Sequence, residues 1–184
     1  EMRKYTIFID GISKAFAATG VRVGWAFGPA HVLAKMKAFL SHIGAWAPMA
    51  EQKATAKYLY KKELLQQHFY TFKAELELRL NKIYEGFMAL KNEDFNVDAI
   101  APQAAIYLTV KFDLVGKRTT DKELKTQEDV TEYLLSEAKL AVVPFYAFGA
   151  EKQSPWYRLS VGTCKINDIE PFFQNLKKAL QALQ

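Results

Sequence analysis

Apolar residues recur at steps of three and four through much of the first half of the chain. Val32, Leu33, Met36, Phe39, Leu40 and Ile43 predict a helix over residues 30–44. Trp46-Ala47-Pro48 interrupts the pattern, and a second helix is expected from about Met49 to Tyr60. A longer stripe follows at Leu65, Phe69, Phe72, Leu76, Leu80, Ile83, Phe87 and Leu90. It predicts a helix well above average length, long enough to bridge two domains. Ahead of these helices, two short apolar runs, Tyr5-Thr6-Ile7-Phe8-Ile9 and Trp25-Ala26-Phe27-Gly28, read as buried strands flanking a loop.

The texture changes after Lys91-Asn92-Glu93-Asp94. Ile106, Leu108 and Val110 alternate with Tyr107, Thr109 and Lys111, which predicts a half-buried strand over Ala105 to Phe112. Residues 113–125 form a charged connection, and Thr126-Gln127-Glu128-Asp129 has the spacing of a capping box opening a helix to about Ala138. Leu140-Ala141-Val142-Val143 and Tyr157 to Val161 read as two more strands. Asn167 or Asp168 is expected to cap a last helix, with Pro171 near its first turn and Ile169, Phe172, Phe173, Leu176, Leu180 and Leu183 on one face. Strands and helices mix here without a βαβ rhythm, so the region from about residue 91 reads as a compact α+β domain.

Half of the 184 residues are hydrophobic, enough for a packed core. The single cysteine, Cys164, excludes an internal disulfide and points to a reducing, cytoplasmic setting. The longest apolar run, Leu140 to Ala150, is broken by Pro144 and is too short to span a bilayer, so no membrane partner is expected. The chain begins at Glu1 rather than methionine, which leaves targeting open. A net charge of +5 raises the possibility of a nucleic-acid partner. However, Lys53, Lys57, Lys61, Lys62, Lys73 and Lys82 are interleaved with Glu51, Glu63, Glu75, Glu77 and Glu85, the pattern of solvated helix faces. No tight basic cluster with interleaved aromatics exists, and no nucleic-acid partner is expected. His31, His42 and His68 lack metal-ligand spacing, so no metal is expected either.

The chemistry concentrates between the two opening runs, in Ser13-Lys14 and Gly20-Val21-Arg22-Val23-Gly24. A lysine held among apolar walls has its charged form disfavoured, so its neutral amine can attack an aldehyde and form a Schiff base. An arginine fork nearby would grip a phosphate with two hydrogen bonds. Ser13 adds a hydroxyl donor, and Gly20 and Gly24 would let the backbone approach a cofactor closely.

The segment Asp10-Gly11-Ile12-Ser13-Lys14-Ala15-Phe16-Ala17-Ala18-Thr19-Gly20-Val21-Arg22-Val23-Gly24-Trp25 resembles the lysine segment of the class I and II aminotransferases, pyridoxal-phosphate enzymes of the aspartate aminotransferase fold. The pattern there runs Ser-Lys, an aromatic-rich turn, then Thr-Gly-x-Arg-x-Gly-aromatic. The resemblance implies Lys14 as the catalytic, Schiff-base residue, with Ser13 and Arg22 on the phosphate of pyridoxal 5'-phosphate. Trp156-Tyr157-Arg158-Leu159-Ser160-Val161-Gly162 places an arginine in an apolar strand, where burial demands either a salt bridge or an incoming anion. This stretch is similar to the family's Arg-Leu-Ser strand, which implies that Arg158 binds the substrate α-carboxylate.

Two motifs depart from the family pattern. Pro102-Gln103-Ala104-Ala105-Ile106-Tyr107 carries Ala104 at the usual glycine, and Val143-Pro144-Phe145-Tyr146-Ala147-Phe148-Gly149 carries Phe145 at another. Phe145 and Tyr146 either narrow a pocket or only pack their loop. The resemblance covers the whole chain but only the second half of a family member. It implies a fold-type I α/β fragment: residues 1–62 as the end of the large pyridoxal-phosphate domain, 63–90 as an inter-domain helix, and 91–184 as the small α+β domain. The implied activity of the intact protein is amino-group transfer between an amino acid and a 2-oxo acid, as a homodimer, with the fragment inactive alone. A lyase or decarboxylase of the same fold, or a non-catalytic aminotransferase-like regulatory domain, are the alternatives.

Overall fold

The opening apolar runs form a two-stranded antiparallel sheet in the computed structural model, which describes residues 1–184. Strand β1 (Phe8–Gly11) pairs with β2 (Gly24–Phe27), with Phe8 opposite Phe27 and Gly11 opposite Gly24. Side chains are crowded where the strands meet. A Cβ on Gly24 would stand 3.0 Å from the Asp10 carbonyl oxygen, and one on Gly11 would stand 3.0 Å from that of Val23. Between the strands lie the one-turn helix α1 (Ile12–Ala15) and a 3-10 turn at Thr19–Val21. Helices α2 (Ala30–Ile43) and α3 (Met49–Leu59) follow at the positions the periodicity predicts. Gly44 closes α2 in the left-handed region, and its N–H donates to the Leu40 carbonyl.

One expectation fails here. The opening strands were expected to be buried, yet Phe8, Ile9 and Phe27 are 53%, 71% and 61% exposed. Only two strands pair, so Phe8, Ile9 and Phe27 have no further strand to pack against.

The chain divides into two compact units, Glu1–Thr71 and Phe72–Gln184. Helix α4 (Lys62–Asn92) begins in the first and ends in the second. Leu76, Leu80, Ile83, Phe87 and Leu90, spaced alternately by four and three residues, are its buried stripe. They pack against a four-stranded antiparallel sheet of order β3-β4-β6-β5, made of β3 (Val97–Ala99), β4 (Tyr107–Phe112), β5 (Val143–Pro144) and β6 (Trp156–Ser160). In β4 the buried residues are Leu108, Val110 and Phe112, and in β6 they are Tyr157 and Leu159. Period-two alternation therefore sends Tyr107, Thr109 and Arg158 to the opposite face.

Helix α5 (Gln127–Ser136) opens with the expected box: Thr126 Oγ1 accepts from the Asp129 N–H, and Asp129 accepts from the Thr126 N–H. Helix α6 (Ile169–Gln181) adds Leu176 and Leu180 to the core. The expected strand over 140–143 shrinks to Val143–Pro144. Lys139 adopts φ 55° and the Leu140 N–H donates to the Leu134 carbonyl, so Leu140 and Val142 are buried by packing after α5 rather than by pairing in the sheet. Buried hydroxyls are satisfied. Tyr157 Oη donates to Gln127 Oε1 at 2.5 Å, and Tyr133 Oη to the Ala179 carbonyl at 2.7 Å.

Candidate active site

The β1–β2 pair sets up the first site. The Ile12 N–H donates to the Val23 carbonyl, and both side chains are buried. The chain thus leaves the sheet already turning into α1, with Ser13 half-buried and Lys14 exposed. After the turn at Thr19–Val21, Arg22 stands in the left-handed region at φ 60° and ψ 40°. Its Nη1 donates to the Thr19 carbonyl at 2.9 Å, which fixes the guanidinium through one nitrogen and leaves the other donors of the fork for an anion.

Ser13, Lys14 and Arg22 together line one open pocket of about 500 Å³, with Asp10, Gly11 and Gly24 among its other walls. Asp10 Oδ1 accepts from the Gly11 N–H at 2.7 Å. Two positive side chains and a hydroxyl therefore converge on a space large enough for a phosphorylated small molecule. One detail departs from expectation: Lys14 is exposed rather than held among apolar walls. Gly24 lines the pocket as well as pairing the strands, and a Cβ at Gly20 would meet open space.

Arg158 lies in the second unit, on the outer face of the four-stranded sheet. It is opposite Thr109 of β4 on one side and Val143 of β5 on the other. No acid of the chain forms an ion pair with it, so the internal salt bridge that burial of an arginine calls for is absent. Its guanidinium carbon instead sits 4.4 Å from the centre of the Tyr107 ring and 4.5 Å from that of Phe148. Phe148 ends a 3-10 turn, Phe145–Phe148, that follows β5. Gly149, at φ 92°, reverses the chain there, and its N–H donates to the Tyr146 carbonyl. A pocket of about 330 Å³ is lined by Tyr107, Thr109, Phe145, Phe148, Ala150 and Arg158. Phe145 is thus a wall of that pocket. Tyr107 and Phe148 are the neighbours that reading the sequence leaves without a role. The alternation of β4 marks Tyr107 as outward-facing, but nothing in the sequence brings Phe148 to Arg158.

The fold defines the class of protein. The structure superimposes on the crystal structure of the aspartate aminotransferase from Rhizobium meliloti with a TM-score of 0.81 at 28% identity, over 99% of this chain and 43% of that one. The aromatic aminotransferase from Pyrococcus horikoshii OT3 gives 0.81 at 25% identity, over 98% of this chain and 44% of the other. This is the fold-type I architecture of the aspartate aminotransferases, present in part.

Residues 1–176 match the family described as aminotransferase class I and II, and the chain belongs to that family. Among its relatives, an aspartate aminotransferase of Rhizobium meliloti (strain 1021) is 30% identical over 185 residues, and one of Geobacillus stearothermophilus is 29% identical over 183. The chain spans 40% and 43% of the length of these two relatives. No helix is long and apolar enough to cross a membrane.

Proposed function

We propose that this chain is the C-terminal part of a pyridoxal-phosphate-dependent aminotransferase that moves an amino group between an amino acid and a 2-oxo acid. Residues 1–62 end the large cofactor domain, 63–90 form the inter-domain helix, and 91–184 form the small domain. The observation that carries the reading is the convergence of Ser13, Lys14 and Arg22 on one pocket. The donor set fits both ends of the cofactor: an amine for the aldehyde, and a hydroxyl with a guanidinium fork for the phosphate.

When bound, pyridoxal phosphate supplies the electron sink that stabilises negative charge on the substrate α-carbon. The chain's own part is holding and proton transfer. Arg22 and Ser13 grip the phosphate. Lys14 Nζ would hold the aldehyde end of the cofactor and, as a free amine, would serve as the base that takes the proton from the substrate α-carbon. Arg158, with its in-plane donors unspent, receives the substrate α-carboxylate. A full-length homodimer in the cytoplasm goes with this reading, as does an isolated chain without activity.

The test is chemical. Full-length protein is incubated with pyridoxal phosphate, reduced with borohydride and mapped by peptide mass. The label is expected on Lys14 alone, and labelling of another lysine in its place would sink the proposal.

A further inference from the structure

A guanidinium set in a β-strand with no acid partner is an unusual object. Removing a cation from water without a compensating contact is costly, and proteins ordinarily answer with a carboxylate. Around Arg158 the answer is aromatic. Tyr107 and Phe148 bring their ring centres to 4.4 and 4.5 Å from its guanidinium carbon, well inside the range of cation–π attraction.

The two kinds of partner differ in what they leave free. A carboxylate bonds to the N–H groups that lie in the guanidinium plane, and so occupies the donors a carboxylate ligand would need. A ring face stabilises the cation through its quadrupole and takes none of them. The fold supplies both rings. Tyr107 lies two residues along β4 from Thr109, the cross-strand partner of Arg158, on the same outward face. Phe148 is delivered by the turn that Gly149 closes after β5. Phe145 packs edge-on to Phe148 with ring centres 6.5 Å apart, which steadies the second ring from behind.

We infer that Tyr107 and Phe148 are positioning residues for carboxylate binding: an aromatic clamp that holds Arg158 oriented and unpaired until a carboxylate arrives. The inference rests on the reading of Arg158 as the carboxylate-binding residue and deepens it. It places the clamp on residues that touch the arginine.

Nuclear magnetic resonance of the 184-residue chain tests both layers. Acetate is titrated at constant ionic strength, and the β6 backbone amides and the Arg158 Nε–H signal are followed. The wild-type chain is expected to show ring-current shifts on Arg158 before acetate is added and a saturable response afterwards. Phe148→Leu and Tyr107→Leu should lose their share of the ring-current shift and weaken acetate binding about 5- to 30-fold. Tyr107→Phe keeps the ring and should behave as wild type. Phe148 is 56% exposed, so its replacement leaves the core intact. Leucine variants that bind acetate as tightly as wild type would overturn the clamp while leaving the role of Arg158 standing. A wild-type chain with no saturable response, or an Arg158→Lys chain that responds equally, would overturn the carboxylate reading and the clamp with it.

Discussion

Gly86 of α4 lies directly under the ring of Phe173 in α6: a Cβ at residue 86 would come within 2.3 Å of two ring carbons. The ring has little room to retreat, because it packs edge-on against Phe87 at 5.5 Å and Phe172 at 4.6 Å between centres. Alanine is favoured over glycine inside a helix by up to about 1 kcal/mol. Overpacking costs about 1–3 kcal/mol, so the clash wins. Gly86→Ala is expected to lower stability by about 1–2 kcal/mol in urea unfolding, and Phe173→Leu in the same chain should relieve most of that loss. Equal losses with and without the second substitution would show that the two helices do not meet there.

A second expectation concerns Arg158 in the full-length enzyme. Lysine keeps the charge but replaces a planar fork with a point donor. Arg158→Lys should raise KM for both amino acid and oxo acid by the equivalent of roughly 2–4 kcal/mol, the worth of a charged hydrogen bond in a desolvated site. Pyridoxal-phosphate affinity, measured by absorbance titration, should hardly change. The reverse pattern, cofactor lost and substrate affinity kept, would assign Arg158 to the phosphate instead.

The start of α5 gives the chain a pH-sensitive joint. Lys122, at 2.7 Å, and the N–H groups of Lys125 and Thr126 hold the Asp129 carboxyl down at about 2. Its unfolded value is about 3.9, so the folded state favours the ionised form. That contribution is fully present above pH of about 4 and is lost as pH falls toward 2. Thermal melts of wild type should fall steeply across that window. Asp129→Asn should melt lower at neutral pH and show a shallower slope below pH of about 4. Parallel slopes would place the acid sensitivity elsewhere.

These residues also mark where the sequence was legible. Periodicity over Leu65–Leu90 and the Thr126/Asp129 spacing are local signals, and the structure has α4 and the capping box where they fall. Strand β3 was not legible: Val97–Ala99 is too short to show alternation and exists only by pairing with Val110–Phe112. The single turn of α1 under Lys14 escaped for the same reason, since its geometry comes from the bond between Ile12 and Val23. The motif brought Ser13, Lys14 and Arg22 into view together because all three lie within one short loop. Arg158 was visible as a charge in an apolar strand, but Tyr107 and Phe148 reach it through strand register and a turn, which are tertiary facts.

The last expectation concerns the opening sheet of the isolated chain. A two-stranded sheet is marginal in water unless its face is covered, and here Ile7, Phe8, Ile9 and Phe27 stand 43%, 53%, 71% and 61% exposed. Strands β4 and β6, by contrast, carry Val110 and Tyr157 at 0% exposure. Hydrogen exchange should therefore separate the two units of this chain. Amides of Phe8–Gly11 and Gly24–Phe27 should exchange at nearly the unfolded rate, while those of Tyr107–Phe112 and Trp156–Ser160 should be protected to the level of global unfolding. Because Lys14 and Arg22 hang from the weaker sheet, pyridoxal phosphate should bind the isolated chain loosely. In the full-length protein, added strands and a covering layer would hold the same residues still, and the β1 and β2 amides should become protected. Strong protection of β1 and β2 in the isolated chain, with tight and stoichiometric pyridoxal phosphate on Lys14, would refute this account of where the site gets its rigidity.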